Sequence, residues 1–297
     1  MLATAMEDSS LVLAVDLGGT KLATAVVDSH GNIHAARKAP TNKSNLSDSI
    51  DQLVAEANHV VEGSRLPWSQ IRAAGVIVPG IFQPTEGLAW APNLWGDADV
   101  PLLALLRDRL PVPVRVDSDR AGCVLGEQWL GVATGLTDVV FLAVGTGIGA
   151  GILSGGRLVR GTGDSAGAVG WFALNPSAGC WEAEASGPAV ARHAGEDSAE
   201  LVAEAARRGD ATALRALERA SCYLAMGIAN LISALNPQMV VLGGGLMQGA
   251  GDLLLEPIRG AVPRWAQPRA AAQVRIELTQ LGDRAGLLGA AKLALSE

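Results

Sequence analysis

The sequence contains no Lys- or Arg-rich run, no Cys-x-x-Cys pair, and only three cysteines and four histidines in 297 residues. With 23 Lys and Arg against 30 Asp and Glu, a net charge of −7 and no local basic cluster, the electrostatic footprint of a nucleic-acid binder is missing. Cys123, Cys180 and Cys222 are odd in number and far apart, so neither a disulfide framework nor a cysteine metal cluster is expected. The first ten residues hold Glu7 and Asp8 and lack the basic-then-apolar order of a signal peptide; a cytoplasmic location is the expectation. No Pro/Ser-rich linker divides the chain and no short-period repeat occurs, although the length suits two domains.

Charge is absent from two longer stretches, Val139–Gly156 and Ala220–Gly251, in a chain that is 49% apolar with a mean hydropathy of +0.26. The first carries six glycines, and the second is interrupted by Asn236-Pro237 and Gly243-Gly244-Gly245, so neither reads as a membrane span.

Periodicity and punctuation give an α/β chain. Leu11–Leu17, Leu22–Val27 and Ile33–Arg37 read as a strand meander. Asn45–Gly63 reads as an amphipathic helix with Ser47 as its cap, and Arg72–Val78 as a strand ending at Pro79-Gly80. Helix, strand and helix follow at Pro101–Leu110, Val112–Val116 and Ala121–Leu130. Asp138–Val144, a glycine loop and the apolar stretch to Leu153 form a strand pair. Gly155–Gly187 is loop-rich with eight glycines, an irregular length that is usually functional. Helices at Ala199–Ala206, capped by Ser198, and at Ala211–Leu235 precede the strand Met239–Leu242. A helix near Leu253–Arg259, the strand Val274–Leu278 and the helix Leu287–Leu295 close the chain. Strand, glycine turn and strand recur at Leu11–Val27 and Asp138–Leu153 as two copies of one device.

Four segments carry candidate chemistry. Asp16-x-Gly18-Gly19-Thr20-Lys21 ends a strand in a tight bend, where glycines let backbone amides approach an anion, Thr20 offers a hydroxyl and Asp16 can hold a hydrated cation; a plain glycine hairpin is the alternative. Gly145-Thr146-Gly147-x-Gly149 is a second phosphate loop. It also fits Gly-x-Gly-x-x-Ala through Ala150, with Asp164 placed as a dinucleotide fold would place its acid, but Gly151–Gly156 makes a poor helix and that fold needs one. Gly243-Gly244-Gly245, between a strand and a helix, can admit a base or ribose against backbone, or can simply turn the chain. Asp117-Ser118-Asp119 puts carboxylates at the carboxyl edge of a sheet, where one can serve as general base; the alternative is helix capping by Asp117, Ser118 or Asp119.

Taken in order, these segments resemble the ROK family of sugar kinases, within the actin-like ATPase superfamily, over Leu11–Leu295. Val78-Pro79-Gly80 and Ala91-Pro92-Asn93-Leu94 match its sugar-domain segments, Asn236-Pro237 with Gly243–Gly245 its adenosine segment, and Leu281–Gly286 its C-terminal segment. The resemblance implies a two-domain actin-like ATPase (ribonuclease H-like) α/β fold with a central cleft. A smaller domain of residues 1–118 would be completed by 286–297, and a larger one would span 119–285. It further implies ATP with Mg²⁺, Asp16 being a candidate for the metal, and phosphorylation of a hydroxyl of a sugar or sugar-like polyol, with a sugar or cyclitol as substrate partner. Asp119 would be general base; Asp16, Gly18, Gly19, Thr20, Lys21, Gly145, Thr146, Gly147, Gly243, Gly244 and Gly245 would hold the nucleotide; Gly80, Asn93, Ser118, Asp119, Trp171 and Glu182 would hold the sugar. A homodimer is implied, with neither nucleic acid nor membrane as partner. Related repressors carry a helix-turn-helix before the first strand, and only ten residues precede Leu11 here.

Several positions depart from the family. Trp171 stands where a zinc-bound, sugar-binding histidine belongs, and between Asn175 and Glu182 the zinc signature keeps only Cys180, one sulfur where a structural site needs about four ligands. No zinc is expected, and Trp171 and Trp181 are candidates to pack the Leu174–Glu182 loop in its place. Ala168 replaces a sugar-binding glutamate and Ser118 the asparagine before the catalytic aspartate. Lost hydrogen bonds of about 0.5–1.5 kcal/mol each make ordinary glucose a poor expectation. A rival expectation is a sensor that keeps the nucleotide elements and has lost turnover.

Overall fold

The computed structural model describes residues 10–177 and 179–296; Glu7 and Asp8 lie outside the described residues. The backbone packs as two compact units. One runs to Gly126 and resumes at Arg284, and the other spans Glu127–Asp283.

The first unit begins with β1 (Leu11–Leu17), β2 (Lys21–Val27), β3 (Ile33–Pro40), α1 (Leu46–Ser64) and β4 (Ile71–Val78). A small three-stranded sheet follows, formed by β5 (Ile81–Gln83), β6 (Leu88–Trp90) and β7 (Asp99–Val100), with α2 (Pro92–Trp95) between the last two. Then come α3 (Leu102–Arg107), β8 (Val114–Ser118) and α4 (Asp119–Leu130). The main sheet has the order β3-β2-β1-β4-β8, antiparallel across the meander and parallel from β1 to β4 to β8. Strands β1 and β4 are apolar almost throughout because both faces are covered.

The second unit repeats that plan. Strands β9 (Val139–Val144), β10 (Ile148–Ser154) and β11 (Arg157–Leu158) form its meander. After them come the short pair β12 (Ala173–Asn175) and β13 (Gly179–Cys180), then α5 (Trp181–Ala185), α6 (Gly187–Ala194), α7 (Ala199–Arg207) and α8 (Ala211–Leu235). The chain ends with β14 (Met239–Gly243), α9 (Gly245–Ala261), α10 (Pro268–Gln273), β15 (Arg275–Leu278) and α11 (Ala285–Leu295), the last belonging to the first unit. The sheet order β11-β10-β9-β14-β15 again joins an antiparallel hairpin to two parallel strands. The recurring strand, glycine turn and strand of the sequence is thus the visible part of a duplicated topology.

The charge-free runs are accounted for by this plan. Val139–Gly156 is the β9–β10 hairpin, and Ala220–Gly251 is the end of α8, β14 and the start of α9. No helix among the described residues is long and apolar enough to cross a membrane.

Close helix packing explains several glycines. A Cβ on Gly289 of α11 would fall 1.7 Å from the Gly122 carbonyl oxygen of α4, and one on Gly75 of β4 would fall 1.9 Å from the Ala290 carbonyl oxygen. Helix α11 therefore lies directly on the first unit's sheet and on the first turns of α4.

Two local expectations are corrected. Asn45, not Ser47, caps α1: its side-chain oxygen accepts from the Asp48 amide at 2.9 Å, and Ser47 lies inside the helix. Asn45→Ala is expected to lower stability by about 1 kcal/mol in urea unfolding, and Ser47→Ala to change it far less. Helix α9 begins at Gly245, eight residues before the expected start near Leu253, because Gly249 and Gly251 blur the helical signal. A Cβ on Gly251 would meet Leu278 at 2.9 Å, so packing, not propensity, selects glycine there.

Candidate active site

Register in the first unit gathers the candidate residues at one sheet edge. Asp16 pairs with Ile77 across β1 and β4, Ile77 with Asp117 across β4 and β8, and Val78 with Ser118. Pro79-Gly80 and Asp119 therefore follow neighbouring parallel strands at their carboxyl ends, where ligands of open α/β sheets gather. Gly80 has φ +90°, and a Cβ there would fall 2.1 Å from the Trp90 carbonyl oxygen. That contact ties the bend to the small sheet, from which α2 presents an exposed Asn93.

Strand β8 runs two residues past the expected end at Val116, so Asp117 and Ser118 lie in it and Asp119 opens α4. Asp117 is buried, with Oδ1 accepting from the Ser118 amide at 2.8 Å. Ser118 Oγ accepts from the Ala121 amide at 3.3 Å, which makes it the cap. Asp119 Oδ1 accepts from the Arg120 amide at 2.7 Å. Burial pushes the Asp119 carboxyl above its ordinary value, against a smaller downward pull from the Arg120 charge and the amide bonds. Arg120, which the sequence reading missed, donates from Nη2 to the Gly80 carbonyl at 2.9 Å and so fixes Gly80 relative to Asp119.

The Gly18–Lys21 bend is a closed turn. The Gly18 amide donates to the Lys21 carbonyl at 2.9 Å, and Thr41 holds it from outside through its hydroxyl on the Gly18 carbonyl at 2.7 Å and its amide on the Thr20 carbonyl at 3.1 Å. Thr20 is exposed, and open space surrounds the Gly19 α-carbon. The Asp16 carboxylate lies against the first turn of α11, where a Cβ on Gly286 would come within 2.7 Å of Oδ2.

In the second unit, parallel pairing of Gly243 with Ala143 sets the two other glycine segments side by side. A Cβ on Gly145 would lie 3.5 Å from the Gly245 nitrogen. Gly244 has φ +88°, and a Cβ there would fall 2.5 Å from the Val144 carbonyl oxygen, so only glycine fits this turn. Helix α9 starts at exposed Gly245 without a side-chain cap, which leaves backbone donors of a 17-residue helix for an anion. Asn236 and Pro237, which the resemblance grouped with these glycines, sit at the amino end of β14, opposite Gly243. Asn236 ends α8 with φ 47°.

The loop after β9 is held from behind. The Gly145 amide donates to the Gly147 carbonyl at 2.9 Å, the Gly187 amide to the Gly145 carbonyl at 2.8 Å, and the Ile148 amide to Glu182 Oε2 at 2.8 Å. Strand β10 pairs antiparallel with β9 directly after it, so the helix a dinucleotide fold requires is absent. Asp164 faces Arg160 at 3.6 Å.

Trp171 and Trp181 have opposite fates. Trp181 is fully buried, stacked on Phe172 with ring centroids 6.0 Å apart, and it fills the notch at Gly227 of α8, where a Cβ would lie 2.3 Å from the indole. Glu184, also buried, ties α5 to α8 by accepting from Arg219 Nε at 3.0 Å and Nη2 at 2.6 Å. Trp171 is 81% exposed, which corrects the expectation that it packs this loop. Ala168 is exposed two residues before the turn's buried Gly170. Cys180 is half-buried at the start of α5, and no group of three or more metal-binding side chains occurs among the described residues.

Taken separately, each unit holds groups whose chemistry suits part of a nucleotide. In the first, a Cβ on Gly19 would meet nothing within 4 Å and the Asp16 carboxylate suits a hard cation; in the second, α9 starts uncapped at Gly245, where a Cβ would likewise meet nothing within 4 Å.

A glucokinase of Halalkalibacterium halodurans is 31% identical over 93% of this chain and 92% of its own length. An N-acetylmannosamine kinase of Escherichia fergusonii is 33% identical over 96% and 98%. Among solved structures, the ROK family glucokinase from Streptomyces griseus in complex with glucose and AMPPNP superimposes with a TM-score of 0.82 at 30% identity, covering 96% of this chain and 99% of that one. The fold is the actin-like α/β ATPase fold of these kinases. With the duplicated sheet and glycine turns in place, and with the ROK family profile matching residues 12–297, the chain belongs to the ROK family.

Proposed function

We propose that this protein transfers the terminal phosphoryl group of ATP to a hydroxyl of a sugar or sugar-like polyol, with Asp119 as general base. At the coarser level the chain is an ATP-dependent carbohydrate kinase, consistent with its full-length similarity to sugar kinases. The observation that carries the finer reading is Asp119 itself. Asp119 follows β8 at the carboxyl edge of the sheet, its neighbour Arg120 bonds the Gly80 carbonyl, and burial raises the pKa of Asp119, the direction that makes a carboxylate a stronger base toward a hydroxyl.

The chain's residues divide the work. Asp119 accepts the proton of the attacking hydroxyl, and Gly80, Asn93 and Ser118 flank it as sugar contacts in the first unit. In the first unit the amides of Gly19 and Thr20, and in the second those of Thr146 and Gly147 with the start of α9, are the donors offered to phosphate oxygens, the Gly18 and Gly145 amides being spent within their own turns, so an acidic protein can bind an anion without a basic patch. A magnesium ion arriving with ATP would neutralise phosphate charge, and Asp16 is the donor that fits it. We propose no zinc: the segment from Asn175 to Glu182 has Cys180 as its one thiol, and buried Trp181, stacked on half-buried Phe172, closes the corner instead.

Specificity departs from ordinary glucose on this reading. Ala168 has no hydrogen-bonding side chain, and exposed Trp171 offers an aromatic face to a sugar's apolar side. An ADP-release assay over hexoses, N-acylated aminosugars and cyclitols tests this. At least one is expected to turn over faster than glucose, and Trp171→Ala is expected to raise its KM about threefold to tenfold. Nucleotide binding without turnover on any member would replace the kinase reading with the sensor one.

A further inference from the structure

We infer that Glu182 is a positioning residue for the nucleotide: its carboxylate pins the second phosphate loop in its binding shape. This deepens the kinase reading and rests on Gly145–Gly149 being a nucleotide loop.

Three contacts converge on that one carboxylate. Oε2 accepts from the Ile148 amide at 2.8 Å, 34 positions away in sequence. A Cβ on Gly147 would fall 2.5 Å from the same oxygen, and one on Gly170 would fall 3.0 Å from it. The carboxylate therefore fills a slot between two glycine α-carbons, and the loop has no freedom to move toward α5 while it is there.

The support behind Glu182 is rigid. It follows Trp181, which is locked against Phe172 and Gly227, and it precedes Glu184, which is paired with Arg219. The same corner supplies the loop's other tether, the Gly187 amide on the Gly145 carbonyl at 2.8 Å. A loop of Gly-Thr-Gly loses much conformational freedom on ordering. Holding it before the nucleotide arrives removes that cost from binding. Glu182 thus acts on ATP through Ile148 and Gly147, in addition to any contact it makes with sugar.

The interaction needs an acceptor oxygen at full side-chain reach. Glutamine keeps both; alanine loses both; aspartate keeps the charge but is one methylene short. Calorimetric titration of AMPPNP into the full chain, without sugar, separates these. The wild type is expected to bind, Glu182→Gln to stay within about threefold of it, and Glu182→Ala and Glu182→Asp to weaken at least about tenfold, with thermal midpoints of folded variants recorded alongside. If Glu182→Ala does not fold, Glu182→Asp and Glu182→Gln still decide. Unchanged affinity in the alanine or aspartate variant, with only the sugar KM raised, overturns the inference, as does a glutamine variant as weak as aspartate. A wild type that does not bind AMPPNP overturns the nucleotide reading itself and this inference with it.

Discussion

Asp119→Asn is expected to lower kcat by about 10²–10⁴ while leaving AMPPNP affinity within a fewfold of wild type. The amide keeps the shape and can still accept from the Arg120 amide, but it cannot take the hydroxyl proton. The pH dependence follows from the direction of the shift. Activity needs the ionised carboxylate, so kcat/KM of the wild type falls as pH drops through the folded-state pKa of Asp119, a limb lying above the ordinary 3.8. Stability moves the other way. Because burial raises the pKa, the native state holds this proton to higher pH than the unfolded chain does, and stability falls as pH rises from the ordinary carboxylate range through the raised value. The asparagine variant lacks that loss, so its thermal midpoint is expected to equal or exceed that of the wild type at pH 8. A variant that is inactive and much less stable would indicate a structural role instead, and full activity in Asp119→Asn would remove the assignment.

Trp181→Ala is expected to cost about 3–5 kcal/mol in denaturant unfolding, the range for truncating a large buried aromatic. The indole is wholly enclosed, and the glycine notch facing it cannot close around alanine without moving α8. Trp181→Phe is expected to cost much less. The indole Nε1 is buried without a hydrogen-bond partner, so losing it removes an unsatisfied donor along with some contact area. A loss below about 1 kcal/mol in the alanine variant would mean that the corner is held by the Glu184–Arg219 pair and not by the aromatic stack.

The strongest signals in the sequence were local ones. Continuous apolar runs at β1, β4, β9 and β14 marked buried strands, and glycine turns between apolar pairs marked the two hairpins; the parallel pairing of these strands was not legible. Ser198 was legible as the cap of α7 because its partner, the Leu201 amide, is three residues away. The short strands of the small sheet escaped, since two or three residues carry no period. Helices α5 and α6 were hidden at the end of a glycine-rich stretch. Glu127 gave no signal at all, yet it is fully buried and joins α4 to a distant segment, with Oε2 accepting from the Val132 amide at 2.9 Å and Oε1 from the Leu281 amide at 3.2 Å and the Thr279 hydroxyl.

Composition and motif order by themselves determined the α/β class, the duplicated hairpin and the family, because each depends on residues close in sequence or on types that only one conformation tolerates; the choice of Asp119 as candidate base came from the family resemblance. Tertiary structure alone decided three matters. Trp181, not Trp171, became the core residue, since a loop has no period to tell an inward tryptophan from an outward one. Gly145 came beside Gly245, since only the parallel pairing of β14 with β9 sets those two turns next to each other. Glu182 reached the loop between β9 and β10, since a hydrogen bond across 34 positions exists only once α5 is anchored and β9 and β10 are paired.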